Sequence, residues 1–148
     1  YANVYGPRQD PRGEAGVVAI FSRQMLAGER PTIFGDGTKT RDYVHVDDIV
    51  RANLLATAQK RAVGRVYNLG RGSEVSDQQI FELVRSSVGV TMEPILAAKR
   101  LGEIDRICLD PSRAKAELGW EPSIPLEEGV GRTVEFYRGG GGQARAGQ

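Results

Sequence analysis

The chain has 148 residues, of which 40% are hydrophobic and 26% charged, and its net charge is +1. These values are typical of one globular domain. Because acidic and basic residues are nearly equal in number, we expect no basic face that could bind a nucleic acid. The only cysteine, Cys108, and the only histidine, His45, exclude an internal disulfide and a zinc site made of Cys and His. Since no apolar run approaches the roughly 18 residues of a membrane span and no leader is visible, we expect a cytoplasmic protein without a membrane partner.

The N-terminal part of the chain predicts one strand and one helix. Residues 1–5 are β-prone and end at Gly6-Pro7, which predicts a short buried strand followed by a polar loop. Apolar residues then recur at helical spacing over Val17–Leu26, and Gly28 is placed to end that helix.

The segment 32–48 contains two β-prone runs on either side of Gly35-Asp36-Gly37. Because both glycines are free to adopt a positive φ, the pattern predicts a β-hairpin whose second strand covers residues 43–46. Arg41 and Asp42 stand side by side within it and are expected to form a charged pair. We therefore expect a rigid hairpin that holds a flat or anionic ligand.

An amphipathic helix is predicted directly after this segment, over residues 49–58. Asp47 and Asp48 precede it, and their carboxylates are suited to accept hydrogen bonds from the first amides of the helix. Leu54 and Leu55 are expected to form its buried stripe.

The second half of the chain predicts three further strands and three further helices. The strands are predicted at residues 66–69, 92–96 and 107–109. The helices are predicted after a capping box of Ser76 and Gln79, after Asp110-Pro111, and over residues 126–137.

Short strands that alternate with helices predict an α/β fold of mixed rather than purely parallel strands. The glycine-rich, polar segment 138–148 has little to bury and is expected to be a disordered tail. The folded unit is then residues 1–137. Within it, structural roles are expected for His45 on an apolar strand, for Trp120 at a helix end, and for Cys108 as a small apolar group.

Four ordered blocks of sequence carry a resemblance to a known family. They are YANVYGPRQ at residues 1–9, IFGDG with TRDYVHVDD within 33–48, YNLG at 67–70, and LGW at 118–120. Together they resemble the C-terminal half of the nucleotide-sugar epimerases and dehydratases of the extended short-chain dehydrogenase/reductase family. The resemblance covers roughly residues 1–137.

The resemblance implies an N-terminal Rossmann domain that binds NAD and a smaller C-terminal part that binds the nucleoside diphosphate of the sugar. It implies a 4-epimerase of UDP-hexoses, in which NAD takes a hydride from the sugar C4, the 4-keto sugar rotates, and the hydride returns to the opposite face. A Tyr-x-x-x-Lys pair performs the acid–base step in this family. Such an enzyme is expected to be a homodimer.

Two family motifs are absent from this sequence. It contains no Gly-x-x-Gly-x-x-Gly turn for a dinucleotide and no Tyr-x-x-x-Lys. We therefore expect a fragment that lacks its Rossmann half, has no catalytic residue of its own, is inactive alone and self-associates. A sugar 4,6-dehydratase fragment, a UDP-glucuronate decarboxylase or epimerase fragment, and a non-catalytic nucleotide-sugar binding remnant are the alternatives.

By resemblance, Asn3, Arg41 and Arg100 match residues that contact the substrate's diphosphate. A guanidinium is suited to phosphate oxygens because it donates two parallel hydrogen bonds. The alternatives are that Asn3 satisfies the adjacent turn, that Arg41 pairs with Asp42, and that Arg106 takes the place of Arg100.

The resemblance also places the base, the ribose and the cofactor. The Thr32 backbone and Phe34 match the position of the uracil ring, and Glu103 matches an acidic residue on the ribose hydroxyls. Tyr43 is expected to line the pocket or to pack in the core, as Phe34 also could. Tyr1 matches a residue beside the nicotinamide of NAD.

Overall fold

The computed structural model describes residues 1–10 and 16–140, and it has the α/β fold predicted from the sequence. Within these ranges short strands alternate with helices. In chain order they are β1 (Asn3–Tyr5), α1 (Val17–Leu26), β2 (Thr32–Phe34), β3 (Thr40–Arg41), β4 (Tyr43–His45), α2 (Val46–Ala58), β5 (Val75–Ser76), α3 (Asp77–Val88), β6 (Ile95–Ala97), α4 (Ser112–Leu118) and α5 (Leu126–Arg138).

The described strands pair two by two, and each pair joins distant parts of the sequence. β1 and β4 run parallel, with Val4 opposite Val44. β2 and β6 also run parallel, with Ile33 opposite Leu96. β3 and β5 are antiparallel. Parallel pairs need long crossover connections, and helices occupy them here.

The hairpin predicted over residues 32–48 is wrong, because its two strands pair with other partners: β2 with β6, and β4 with β1. Gly35 and Gly37 do take positive φ, at 86° and 80°. Between them, Asp36 accepts hydrogen bonds from the amide and the hydroxyl of Thr38. This turn leads the chain into β3, which pairs with β5, and not back onto β2.

The larger hydrophobic core lies between α1, α3 and α5. Phe21 of α1 and Phe81 of α3 meet edge to face, with ring centroids 6.1 Å apart, and Val134 of α5 is fully buried beside them. Tyr5 and Tyr43 extend this core to β1 and β4, with ring centroids 6.3 Å apart. The parallel pair is thereby fixed to the helical layer.

A second core surrounds Trp120, which is fully buried. Its indole Nε1 donates a hydrogen bond to the Asp48 carbonyl at 2.8 Å. The Asp48 carboxylate in turn accepts hydrogen bonds from Arg51, from Ser123 and from the Ile124 amide. Trp120 therefore ties the end of α4 to α2, in the structural role expected for it.

The predicted capping of α2 is wrong, because the helix begins at Val46 and places Asp47 and Asp48 in its first turn. His45 is the N-cap, and its Nδ1 accepts a hydrogen bond from the Asp47 amide at 3.2 Å. Carboxylate, amide and hydroxyl side chains are the usual caps, so residue type alone favours the aspartates over an imidazole.

The predicted burial of Leu54 and Cys108 is also wrong. Leu54 is 65% exposed, and the buried face of α2 carries Ile49 and Ala52 instead. Leu55 packs partly against the second core. Cys108 is exposed, since it lies in an irregular segment outside both cores.

Residues 66–69 and 107–109 were predicted as strands, and neither segment is one. The first is joined to β1 by a hydrogen bond from the Ala2 amide to the Leu69 carbonyl, and the second follows an isolated bridge between Thr40 and Arg106. Both segments touch a sheet edge without forming a ladder. A short β-prone run does not distinguish a segment that forms a strand from one that only contacts a sheet edge.

The capping box of α3 is confirmed: Ser76 Oγ accepts from the Gln79 amide, and Gln79 Oε1 accepts from the Ser76 amide. The strand predicted at 92–96 is β6, displaced toward its C-terminal side, and the last two predicted helices are α4 and α5. Of the segment predicted to be a disordered tail, residues 141–148 lie outside the described residues.

Candidate functional site

One cleft of about 490 Å³ is lined by residues from α1, from four strands, from the start of α3 and from the loops before β3 and after β6. All seven candidate substrate-binding residues line it. They are Asn3, Thr32, Phe34, Arg41, Tyr43, Arg100 and Glu103. The fold thus brings together residues that are widely separated in the sequence.

Arg100 stacks on Phe34 at this cleft, with the guanidinium carbon 3.7 Å from the ring centroid. A guanidinium on an aromatic face keeps its in-plane N–H groups available to other acceptors. The pair therefore offers a flat apolar surface and hydrogen-bond donors at the same place. Arg106, the alternative to Arg100, donates to the Glu74 carboxylate at 3.1 Å and does not line this cleft.

Arg41 ends β3, and its Nη1 donates to the Thr40 carbonyl at 2.7 Å and to the Asp105 carbonyl at 3.5 Å. The predicted pair between Arg41 and Asp42 is wrong. Asp42 is fully buried and accepts hydrogen bonds from the backbone instead. Consecutive residues of an extended chain point to opposite faces, which separates the two side chains.

Lys39 forms an ion-pair cluster at the cleft that sequence reasoning missed. Its Nζ lies 2.9 Å from Glu103 Oε2 and 3.3 Å from Asp77 Oδ2. The hydrogen bond from Lys39 holds the pKa of Glu103 below its ordinary value, so this carboxylate is ionised at neutral pH. Lys39 lies in the loop just before β3 and Asp77 directly follows the N-cap of α3, and neither position carries a motif that predicts the cluster.

Tyr43 and Asn3 also line the cleft. The Tyr43 side chain is almost fully buried; its burial and the charge of Asp77 raise the pKa of its phenol, so the hydroxyl stays protonated. Asn3 donates through its backbone to the Asp42 carbonyl at 2.8 Å. The Asn3 side chain makes no hydrogen bond to any described residue, so it does not serve the adjacent turn.

A face of α1 forms another wall of the cleft, with Val17, Ile20, Phe21 and Gln24. Sequence reasoning used the apolar members of this face only to predict the helix. Gln24 Oε1 is buried without a hydrogen-bond partner in the described part of the chain. A polar residue on an apolar helical stripe is the signal that could have identified this wall.

Tyr1, the cofactor candidate, does not line the cleft. Its side chain is 69% exposed, and its hydroxyl donates to Asn53 Oδ1 at 2.8 Å. Across residues 1–10 and 16–140, no three or more His, Cys, Asp or Glu side chains are grouped to hold a metal ion. Within the same residues, no helix has the length and apolar character needed to cross a membrane.

Comparison with known proteins connects this chain to one family. The sequence profile described as "NAD dependent epimerase/dehydratase family" matches residues 1–70. The UDP-glucose 4-epimerase of Mycolicibacterium smegmatis is 50% identical over 137 residues, which cover 93% of this chain and 44% of that protein. The dTDP-glucose 4,6-dehydratase of Streptomyces antibioticus is 35% identical over 140 residues, which cover 93% of this chain and 40% of that protein.

A solved structure gives the same result. The crystal structure of UDP-glucose 4-epimerase with UDP-glucose from Thermotoga maritima superposes with a TM-score of 0.90 and 51% sequence identity, covering 95% of this chain and 45% of that one. The chain spans less than half the length of the relatives it matches here. It belongs to the NAD-dependent epimerase/dehydratase family.

Proposed function

We propose that this chain is the nucleotide-sugar-binding portion of an NAD-dependent UDP-glucose 4-epimerase, which interconverts UDP-glucose and UDP-galactose type sugars through a 4-keto intermediate. The observation that carries the proposal is the single cleft on which all seven candidate residues lie. The 50% identity with the epimerase of Mycolicibacterium smegmatis supports the choice of reaction.

The proposed pose follows from the chemistry of the cleft walls. The uracil ring lies against Phe34 and the Thr32 backbone, where the cleft has a flat apolar surface. Arg41 and Arg100 donate to the diphosphate, because guanidinium groups match phosphate oxygens in geometry and charge. Glu103 accepts hydrogen bonds from the ribose hydroxyls.

The cofactor is proposed to bind elsewhere. Among the described residues, Tyr1 is the one candidate for a nicotinamide contact, and it is a single exposed ring. One exposed ring does not hold a dinucleotide, so these residues do not fit NAD by themselves. We propose that a Rossmann half outside this chain binds NAD and supplies the Tyr-x-x-x-Lys pair, which would leave this chain inactive alone.

The partner surface proposed for that half is the open edge of β1. One edge of β1 pairs with β4, and no described strand pairs with the other. Val50 and Leu54 of α2 are 50% and 65% exposed. An open strand edge and exposed apolar side chains favour association, so we expect the isolated chain to self-associate. We also propose, from the family resemblance alone, that the full-length enzyme is a homodimer.

A nucleotide-sugar 4,6-dehydratase is the second candidate, on the observation of 35% identity to the Streptomyces antibioticus enzyme. A UDP-glucuronate decarboxylase or epimerase portion and a non-catalytic binding remnant are further alternatives. A preference for dTDP over UDP would favour the dehydratase. Epimerase activity restored by a Rossmann half would exclude the remnant.

The test is calorimetric titration of the 148-residue chain with UDP. Arg41→Ala is expected to weaken binding about tenfold or more, because a charge-assisted contact to the diphosphate is lost. Arg113→Ala is the matched control, since Arg113 pairs with Glu117 on α4 and does not line the cleft. Absence of UDP binding, or equal affinity in the Arg41 variant and the wild type, would overturn the proposal.

A further inference from the structure

Two carboxylates line a cleft proposed to bind a diphosphate, which is a dianion. Asp77 and Glu103 both contribute to its lining. Their side chains are 11% and 24% exposed, so their charges are only partly screened by solvent. Like charges this close to a bound anion oppose its binding unless a cation compensates them.

Lys39 supplies that compensation. Its side chain is 16% exposed, and its ammonium group lies 2.9 Å from Glu103 Oε2 and 3.3 Å from Asp77 Oδ2. An ammonium group has three N–H donors, and two face these carboxylates. Lys39 is therefore engaged by the protein, and the diphosphate is left to Arg41 and Arg100.

The same contact leaves one Glu103 oxygen available. Lys39 bonds Oε2, whereas Oε1 has no hydrogen-bond partner in the part of the chain that the structure describes. An ionised carboxylate only accepts hydrogen bonds. The donors of UDP are the uracil N3–H and the ribose hydroxyls, and the proposed pose directs the uracil to Thr32 and Phe34 and leaves the ribose hydroxyls for Glu103.

We propose that Lys39 is a positioning residue that, braced by Asp77, holds Glu103 toward the ligand, and that the cleft thereby selects ribonucleoside diphosphates over 2′-deoxyribonucleoside diphosphates. This inference rests on the proposed function, because it assumes that the cleft binds a nucleoside diphosphate. Lys39 and Glu103 would then set the preference for a ribonucleoside diphosphate.

The experiment compares UDP with 2′-deoxy-UDP by calorimetry on the 148-residue chain. The wild type is expected to prefer UDP about tenfold, the effect of one hydrogen bond to a charged group. Lys39→Met is expected to weaken both ligands, because Asp77 and Glu103 lose their compensating cation, and to reduce the preference for UDP to about twofold or less. Lys39→Arg is expected to restore the preference. Lys115→Met is the control, because Lys115 pairs with Glu121 on the surface.

The outcomes separate this inference from the proposed function. Absence of UDP binding in the wild type overturns both. Binding of UDP that depends on Arg41, with the same preference in Lys39→Met as in the wild type, overturns the inference alone. An NMR titration of Glu103 gives a second readout. The pKa of its carboxyl is expected to rise in Lys39→Met, and an unchanged pKa would also contradict the positioning role.

Discussion

The buried Asp42 carboxylate accepts a hydrogen bond from the Leu109 backbone amide at 3.2 Å, across 67 positions of sequence. The same carboxylate accepts from the amides of Arg71 and Gly72 at 2.8 and 3.1 Å. One side chain thus joins three segments behind the cleft. Arg41, the residue before Asp42, can face the cleft because Asp42 is held on the opposite side.

Asp42→Asn is expected to destabilise the chain by about 3 kcal/mol, because the amide places N–H donors against backbone N–H groups that need an acceptor. The measurement is the urea midpoint at neutral pH. Asp36→Asn is the control: Asp36 is exposed, and asparagine can keep its turn to Thr38. Equal midpoint shifts in the two variants would show that the buried network adds little.

Two glycines of α5 give opposite predictions for the same substitution. A Cβ on Gly129 would overlap the Tyr5 hydroxyl, whereas one on Gly131 meets nothing within 4 Å. Gly129→Ala is expected to lower the free energy of unfolding by about 1–3 kcal/mol through overpacking. Gly131→Ala is expected to raise it by about 0.5–1 kcal/mol through helix propensity. Thermal unfolding measures both, and a stabilised Gly129 variant would contradict the described packing.

Stability is expected to fall as His45 becomes protonated. Burial lowers the pKa of His45 below its ordinary value, so the unfolded chain binds this proton at a higher pH than the native chain. The stabilisation is therefore complete above the ordinary pKa and is lost as the pH falls through the native one. Protonation also removes the Nδ1 acceptor that caps α2.

The measurement for His45 is the urea midpoint between about pH 7.5 and 5.5, the range in which an unperturbed histidine titrates. The wild type is expected to lose stability across this range. His45→Asn keeps a side-chain acceptor for the cap but does not titrate, and its midpoint is expected to vary less with pH. The same slope in both proteins would assign the pH dependence to other groups.

The stack of Arg100 on Phe34 is expected to contribute to ligand binding. Phe34→Leu removes the aromatic face and is expected to weaken UDP binding about three- to tenfold, the range of a partly exposed cation–π contact. Phe34→Tyr keeps the face and is expected to bind UDP nearly as the wild type does. Fluorescence-detected displacement of a labelled nucleotide measures both. Equal losses in the two variants would indicate a general packing defect.

The fold was predictable where one pattern decides it locally. Ser76 and Gln79 mark the start of α3 by their own hydrogen bonds, and Gly119 ends α4 with a positive φ of 67°. The strands were harder, because the partner of β2 lies at Ile95–Ala97 and no local pattern of residues 32–48 encodes it. Gly35 and Gly37 are compatible with a hairpin, but the long-range pairing of β2 with β6 replaces it.

The candidate site was predictable only as far as the resemblance reached. Phe34 and Arg41 lie in family motifs, Arg100 and Glu103 match family positions outside those motifs, and the structure places all four on one cleft. Lys39 belongs to no such motif, and its role depends on a carboxylate 64 positions away. Such a contact arises from the tertiary fold, so composition and spacing could not identify it.

We propose that this cleft binds a nucleoside diphosphate, and an NMR titration of the 148-residue chain with UDP is the direct test. The largest amide shifts are expected at residues 32–34, 39–43 and 100–103. Shifts centred instead on the separate groove lined by Gly6, Arg8, Val50 and Phe136, or no shifts at millimolar UDP, would contradict it.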